Sequence, residues 1–179
     1  MPGTRRGRRG RCGYARRVSD WPEPVERVAA VVRERGADVR LEEFSRGTPT
    51  AEAAARAVGC ETSQIVKSIV FVCDGSPVLA LVPGDRRADA AKVAAAAGAG
   101  YARMARPDEV VAATGFEPGA VAPFPAPNVS RVLLERELLL QEVVWIGAGT
   151  TRHMAGLAPM DLLRLAGGMP VDLVESVES

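Results

Sequence analysis

The fold depends on residues 64–85, which read QIVKSIVFVCDGSPVLALVPGD. Two apolar runs flank the segment DGSP, whose glycine and proline are typical of a turn, so the stretch predicts a β-hairpin. We expect its strands over 65–73 and 78–82, joined by a four-residue loop at 74–77.

The predicted hairpin places a lysine in its first strand. Counting back from the loop brings Lys67 opposite Gly84 and beside Asp85. Because side chains alternate along a strand, Lys67 should share one face with the apolar side chains of Ile69, Phe71 and Cys73.

Lysine is rare in this chain. Of 23 basic residues, only Lys67 and Lys92 are lysines. Lys67 is either an edge lysine whose stem covers apolar surface and whose head reaches water near Asp85, or a functional cation. A half-buried ammonium is compact, has three donors and can hold a phosphate or an ester carbonyl that gains negative charge.

Helical and strand patterns are interspersed along the remainder of the chain, which predicts a single α+β domain around a mixed sheet. We find no internal repeat and no interdomain linker. Helices are expected over 24–35, 51–58, 89–97, 107–113 and 159–166, and further strands over 38–44, 131–135, 143–147 and 171–174.

The chain of 179 residues is 47% hydrophobic and 25% charged, which is ordinary for a globular protein. Residues 1–17 hold seven arginines and no acid, which leaves 16 basic and 22 acidic residues in 18–179. We expect 1–20 to be a disordered Arg/Gly-rich tail, either able to attract phosphates or a dispensable upstream extension, and 21–179 to be the folded domain. No apolar run is long enough for a membrane span.

Few residues are suited to metal or nucleophilic chemistry. The three cysteines have no paired spacing, which indicates free thiols in the cytoplasm. His153 is the only histidine, and we interpret it as a loop or surface residue. There is no GxSxG motif and Ser68 has no evident histidine partner, so no catalytic triad, metal or other cofactor is predicted.

Two glycine-containing loops could approach a ligand. In GAVAP, Gly119 permits close backbone contact and Pro123 stiffens the loop, although such a pattern is common in surface loops. GAGT at 147–150 follows a predicted strand and is either an anion-binding nest or a tight turn.

Four segments occur in an order and spacing that resemble a known family. They read TPTAEAAARAVGCETSQIVKSIVF, LALVPGDRRAD, RMARPDEVVAATGFEPGAVAPF and VVWIGAGTTRHMAGLAPMDLLRL. Together they resemble the YbaK/ProX/EbsC family of aminoacyl-tRNA deacylases, relatives of the editing insertion of bacterial prolyl-tRNA synthetase. The resemblance covers about residues 25–175 and leaves the N-terminal tail outside.

The resemblance implies a mixed, strongly curved, barrel-like sheet surrounded by helices. It implies hydrolysis, without a metal, of the ester that joins a wrong small amino acid to tRNA, usually tRNA for proline. Lys67 and Gly119 fall on the catalytic positions of the family, and the substrate-binding positions fall on Thr50, Pro123, Gly147, Ala148 and Gly149.

An aminoacyl ester is already activated, so positioning and oxyanion stabilisation suffice without a protein nucleophile. The attacking group is water or the side chain of the substrate. The implied partners are the acceptor end of aminoacyl-tRNA and prolyl-tRNA synthetase, and we expect a monomer. The alternatives are a non-catalytic module that binds a nucleotide or an aminoacyl end, and a hydrolase of another small activated ester.

Overall fold

The computed structural model describes residues 21–177, which form five α-helices and two open β-sheets. None of the described helices is long and apolar enough to cross a bilayer. The helices are α1 (Glu23–Glu34), α2 (Ala51–Val58), α3 (Ala90–Ala97), α4 (Pro107–Thr114) and α5 (Pro159–Ala166). Short 3₁₀ turns lie at Thr62–Gln64 and Arg136–Leu140.

The strands are β1 (Val39–Glu43), β2 (Val66–Cys73), β3 (Ser76–Pro83), β4 (Ala102–Met104), β5 (Arg131–Glu135), β6 (Val144–Gly147), β7 (His153–Leu157) and β8 (Met169–Val171). The larger sheet has the order β4-β2-β3-β5-β8 and mixes antiparallel with parallel pairs. The smaller sheet, β1-β7-β6, is antiparallel. A parallel bridge between Ile65 and Trp145 links the two sheets.

The predicted α+β class and mixed sheet are confirmed, but the predicted barrel-like sheet is wrong. The strands of residues 21–177 divide between two sheets, and neither of them closes. The larger sheet ends at the three-residue strands β4 and β8, which are too short to carry the pairing round into a barrel.

The central strands β3 and β7 are buried over most of their length because layers stack on either side of them. One face of the larger sheet packs with α3 around Phe71, Val82 and Val93. Its other face meets the smaller sheet, α1 and α5 in the main core, which includes Leu81, Ile146 and Leu162. The outer face of the smaller sheet is covered by α2, whose Ala54 and Ala55 pack with Trp145 and Met154.

The hairpin at 64–85 is confirmed, but the predicted register is wrong. Asp74 and Gly75 form a two-residue turn with φ values of 46° and 86°, so Cys73 pairs with Ser76 and Lys67 with Val82. An Asp-Gly pair with both φ values positive suits a turn of type I′, which matches the twist of the strands. The shift from the predicted register is two residues, which leaves each side chain on its predicted face.

The predicted helices are confirmed, because their ends are encoded locally. The Thr50 side chain accepts a hydrogen bond of 3.1 Å from the Ala53 N–H at the start of α2, and Asp89 caps α3 in the same way. Gly59 and Gly98 follow these two helices in the left-handed conformation.

Three further differences concern short strands. β4 and β7 were not predicted, and the last strand lies at Met169–Val171 instead of 171–174, where Val174 makes only an isolated bridge with Ala88. The buried carboxylate of Glu135 accepts a hydrogen bond of 2.6 Å from the Leu173 N–H and so holds this last segment against β5.

The predicted tail at 1–20 lies outside the described residues.

Candidate active site

A cavity of about 350 Å³ lies where α2, the outer edge of β2 and two loops meet. Its lining comes from residues far apart in the chain: Thr48, Pro49, Thr50, Ala51, Ala54, Ile65, Val66, Lys67, Ser68, Ile69, Gly119, Val121, Gly147, Thr150, Thr151, His153 and Met154. Among residues 21–177, Lys67 is the only lysine or arginine in this lining, and no carboxylate of this part of the chain belongs to it. The cavity therefore offers one cation among small, hydroxylated and apolar groups.

Lys67 is half-buried at the rim of this cavity and donates a hydrogen bond from Nζ to the Arg86 carbonyl. Burial lowers the pKa of the ammonium, and the charges of Asp85 and Glu52 act in the opposite direction. Asp85 therefore influences Lys67 through its charge, while the hydrogen bond of the ammonium goes to a main-chain carbonyl. Because an ammonium has three donors, this bond leaves donors for a ligand.

Ser68, the neighbour of Lys67, contributes a second polar group. The backbone groups of successive residues in β2 point alternately toward β3 and toward the outer edge of the strand. Ile65 O accepts from Gly84 N–H on the β3 side, whereas Val70 O accepts from Ala105 N–H on the outer side. Ser68 lies two residues before Val70, so its backbone N–H also points to the outer edge, at a position that β4 does not reach. Its Oγ is buried and has no hydrogen-bond partner within 21–177.

The loop after α4 brings Gly119 to the cavity and leaves Pro123 behind it. Gly119 is exposed, has φ of +83° and has open space where a Cβ would be. Pro123 is buried beside Ala122 and Phe124 and is absent from the lining. The structure thus brings together Gly119 and Lys67, whereas Pro123 supports the loop from the core side.

The GAGT segment likewise has one part in the cavity lining and another part outside it. Gly147 lines the cavity, but Ala148 is fully buried and donates its N–H to His153 O at 3.0 Å. Gly149, with φ of +98°, lies so close to Pro24 that an added Cβ would be 2.6 Å from its carbonyl oxygen. Neither Ala148 nor Gly149 belongs to the lining, and their predicted part in substrate binding remains a prediction.

His153 was predicted to be a loop or surface residue, and this prediction is wrong. It begins β7, is only 4% exposed and lines the cavity. Its Nδ1 lies 2.6 Å from Thr150 Oγ1, its ring meets Trp21 edge-on, and Nε2 has no hydrogen-bond partner within 21–177. Burial lowers the pKa of the imidazole and so favours the neutral form.

The sequence contains no local signal for the strand that buries His153. The segment HMAGL at 153–157 has neither β-branched nor aromatic residues, so it lacks the pattern typical of a strand. β7 owes its place to pairing with β1 on one side and β6 on the other.

The described part of the chain contains no group of three or more His, Cys, Asp or Glu side chains arranged to hold a metal ion. Cys60 and Cys73 are free thiols in this part, and burial raises the pKa of both. Cys73 packs in the core under α3 and takes no part in the cavity.

Comparison with known proteins agrees with this arrangement of fold and cavity. The model of the aminoacyl-tRNA editing domain matches residues 45–165, which include all the cavity-lining residues. The chain belongs to the aminoacyl-tRNA editing domain family.

Relatives include both small proteins and parts of large ligases. The YwhH protein of Bacillus subtilis is 34% identical over 121 residues, which cover 67% of this chain and 76% of YwhH. The EbsC protein of Enterococcus faecalis, named as a proposed Cys-tRNA(Pro)/Cys-tRNA(Cys) deacylase, is 29% identical over 66% of this chain and 73% of its own. A proline–tRNA ligase of Nitratidesulfovibrio vulgaris is 37% identical over 51% of this chain, but the match spans only 16% of that ligase.

Solved structures share the whole fold. The crystal structure of a proposed trans-editing enzyme for prolyl-tRNA synthetase matches with a TM-score of 0.81 and 36% identity, covering 87% of this chain and 99% of that one. A second match, the crystal structure of hypothetical protein APE2540, has a TM-score of 0.77 and 31% identity over 84% of this chain.

Proposed function

We propose that this protein is a trans-editing aminoacyl-tRNA deacylase, which hydrolyses the ester between a wrongly attached small amino acid and tRNA, with tRNA for proline as the main substrate. The observation that carries the proposal is the half-buried ammonium of Lys67 in a small cavity to which the described residues contribute no carboxylate. The family and the proline-related names of the relatives support the substrate class.

Lys67 binds the phosphate of the terminal nucleotide or polarises the ester region. It is suited to this because it is charged, half-buried and hydrogen-bonded to a fixed carbonyl, so little reorganisation is needed when the substrate arrives. The N–H of Ser68 and the backbone around Gly119 lie in the same cavity and orient the ester carbonyl. These groups supply positioning and charge stabilisation, which an activated ester requires.

The attacking group is water or the side chain of the substrate. The imidazole of His153 contacts Thr150 Oγ1, and Ser68 Oγ has no hydrogen-bond partner within 21–177, so these residues form no serine–histidine pair for covalent catalysis. We assign Thr50, Gly147 and the neutral imidazole of His153 to the wall that orients the aminoacyl group.

Selectivity arises from the size of the cavity, which admits small side chains. A pocket distinguishes side chains by about 1–3 kcal/mol per methylene, so a synthetase alone separates similar amino acids poorly and benefits from a separate editing enzyme. Prolyl-tRNA synthetase is the natural functional partner, and the cytoplasm, where tRNA is charged, is the expected compartment.

The test is deacylation of tRNA for proline charged in turn with Cys, Ala, Ser and Thr. The variant Lys67→Ala should lose about 100-fold or more in kcat/KM on the substrate that the wild type hydrolyses, which is the scale for removing a transition-state donor. Lys92→Ala is the matched control, because the only other lysine of the chain pairs with Asp172 away from the cavity.

Circular dichroism should show that both variants are folded. If the folded wild type hydrolyses none of the four substrates, deacylation of these tRNAs is wrong and the binding-module alternative is favoured. If Lys67→Ala and Lys92→Ala lose activity equally, Lys67 has no special part in the chemistry.

A further inference from the structure

A second groove, of about 260 Å³, adjoins the cavity at β2. Lys67 and Ile69 line both the cavity and this groove, so the two are continuous across the strand. The second groove is lined by Lys67, Ile69, Phe71, Arg87, Ala88, Ala90, Met104 and Glu175. We call it the Arg87 groove.

The Arg87 groove carries two cations and one acid. Arg87 is exposed, and none of the ion pairs within 21–177 includes it, unlike its neighbour Arg86, which is paired with Glu137. The charge of Arg87 contributes to lowering the pKa of Lys67, so the two cations are close enough to repel each other. An anion placed between Arg87 and Lys67 would relieve that repulsion.

The floor of the Arg87 groove is apolar. Phe71 is buried beneath it, Ile69 is half-buried, and Met104, which pairs with Phe71 across β2 and β4, is 66% exposed. An apolar surface next to unpaired positive charge is the combination with which proteins bind single-stranded nucleic acid, because bases lie on the surface and the backbone follows the charge.

We propose that the Arg87 groove holds the nucleotide that precedes the terminal adenosine of the tRNA acceptor end, with the phosphate of this nucleotide at Arg87 and its base on Ile69 and Met104, while the phosphate of the terminal nucleotide lies at Lys67. This inference rests on the proposed function, because the aminoacyl ester and terminal adenosine would occupy the cavity on the other side of Lys67. The RNA strand would pass from the cavity to the Arg87 groove at Lys67, where the two are continuous.

The test compares two ligands that differ in the nucleotides before the terminal one. Adenosine 5′-monophosphate and the ribotrinucleotide CCA are titrated into the full chain and followed by NMR or calorimetry. The wild type should bind CCA more tightly than the mononucleotide. Arg87→Ala should weaken CCA binding about tenfold, the scale for losing a charge-assisted hydrogen bond, and reduce its salt slope by about 0.7, while leaving the mononucleotide unaffected.

Three further variants make the test specific. Met104→Glu should weaken CCA binding as well, because it removes apolar surface and adds a negative charge at an exposed position. Glu175→Gln should strengthen CCA binding, because it removes the one acid of the groove. Arg131→Ala, a change at an exposed arginine of β5 outside the groove, should have no effect.

The groove proposal is overturned if CCA binds no more tightly than the mononucleotide, or if Arg87→Ala and Arg131→Ala behave alike. That result leaves the deacylase proposal untouched when the wild type still hydrolyses a mischarged tRNA. Conversely, Arg87-dependent binding of CCA by a chain that hydrolyses none of the four mischarged tRNAs would support the groove and favour the binding-module alternative.

Discussion

Among single residues, Lys67 shows why a chain with 21 arginines keeps a lysine at one position. Its ammonium reaches the Arg86 carbonyl from a strand in which Ile69 and Phe71, on the same face as Lys67, are apolar. A guanidinium is planar and holds its donors in a rigid fork, whereas an ammonium is a compact point charge that can turn toward several acceptors. The position thus favours a lysine that shares its donors between the protein and a ligand.

The surroundings of His153 predict a pH dependence of stability. Burial lowers the pKa of this imidazole in the folded state, whereas in the unfolded chain it stays near about 6.5. The unfolded state therefore binds the proton more readily, so the stabilising contribution is complete above about pH 6.5 and is lost as the pH falls toward the folded pKa.

This expectation is tested by urea unfolding of the wild type and of His153→Gln between about pH 5 and 7.5. The free energy of unfolding of the wild type should fall more steeply toward low pH than that of the variant. Equal slopes for the two proteins would mean that burial does not perturb this histidine.

Among the elements, α2 links stability to the site, because Thr50 caps the helix and also lines the cavity. Thr50→Ala should reduce the free energy of unfolding by about 1 kcal/mol, the scale for losing an N-cap. It should also raise KM in deacylation, since the first turn of α2 forms one wall of the cavity. Thr50→Ser, which retains the hydroxyl, is the control and should restore stability; equal stability of the Ala and Ser variants would refute the capping role.

Elements with local signals could be predicted from the sequence, and elements without them could not. The helices begin at Thr50 and Asp89 and end at glycines, so their bounds follow from nearby residues. The turn at Asp74 and Gly75 had its signal too, but the proline that follows suggested a longer loop. β7 has no strand-like composition, and its pairing partners are distant in sequence, so neither the strand nor the burial of His153 could be predicted locally.

The same distinction applies to the candidate site. Lys67, Gly119, Thr50 and Gly147 could be placed together through the family resemblance, and the structure does bring them to one cavity. The resemblance could not distinguish residues that line the cavity from buried residues that lie next to it. Ala148 and Pro123 are of the second kind, because their positions depend on packing in the core.

For the whole molecule, the distribution of charge predicts a role for the N-terminal segment. Residues 18–179 hold 16 basic and 22 acidic residues, whereas 1–17 hold seven arginines and no acid. Because an acidic body is a poor match for tRNA, removal of 1–17 should weaken tRNA binding and flatten the dependence of affinity on salt concentration. Titrations at several salt concentrations measure this directly, and an unchanged slope would exclude the segment from binding.

The cavity wall has a further consequence for how the protein is made. Its lining begins at Thr48 and ends at Met154, and the second of these belongs to β7, which pairs with β1. A ribosome releases the chain in order from the N-terminus, so a nascent chain that stops before β7 lacks His153, Met154 and the strand that joins β1 to β6. The cavity is therefore complete only once the chain has emerged through Met154, and a shorter nascent chain cannot form it.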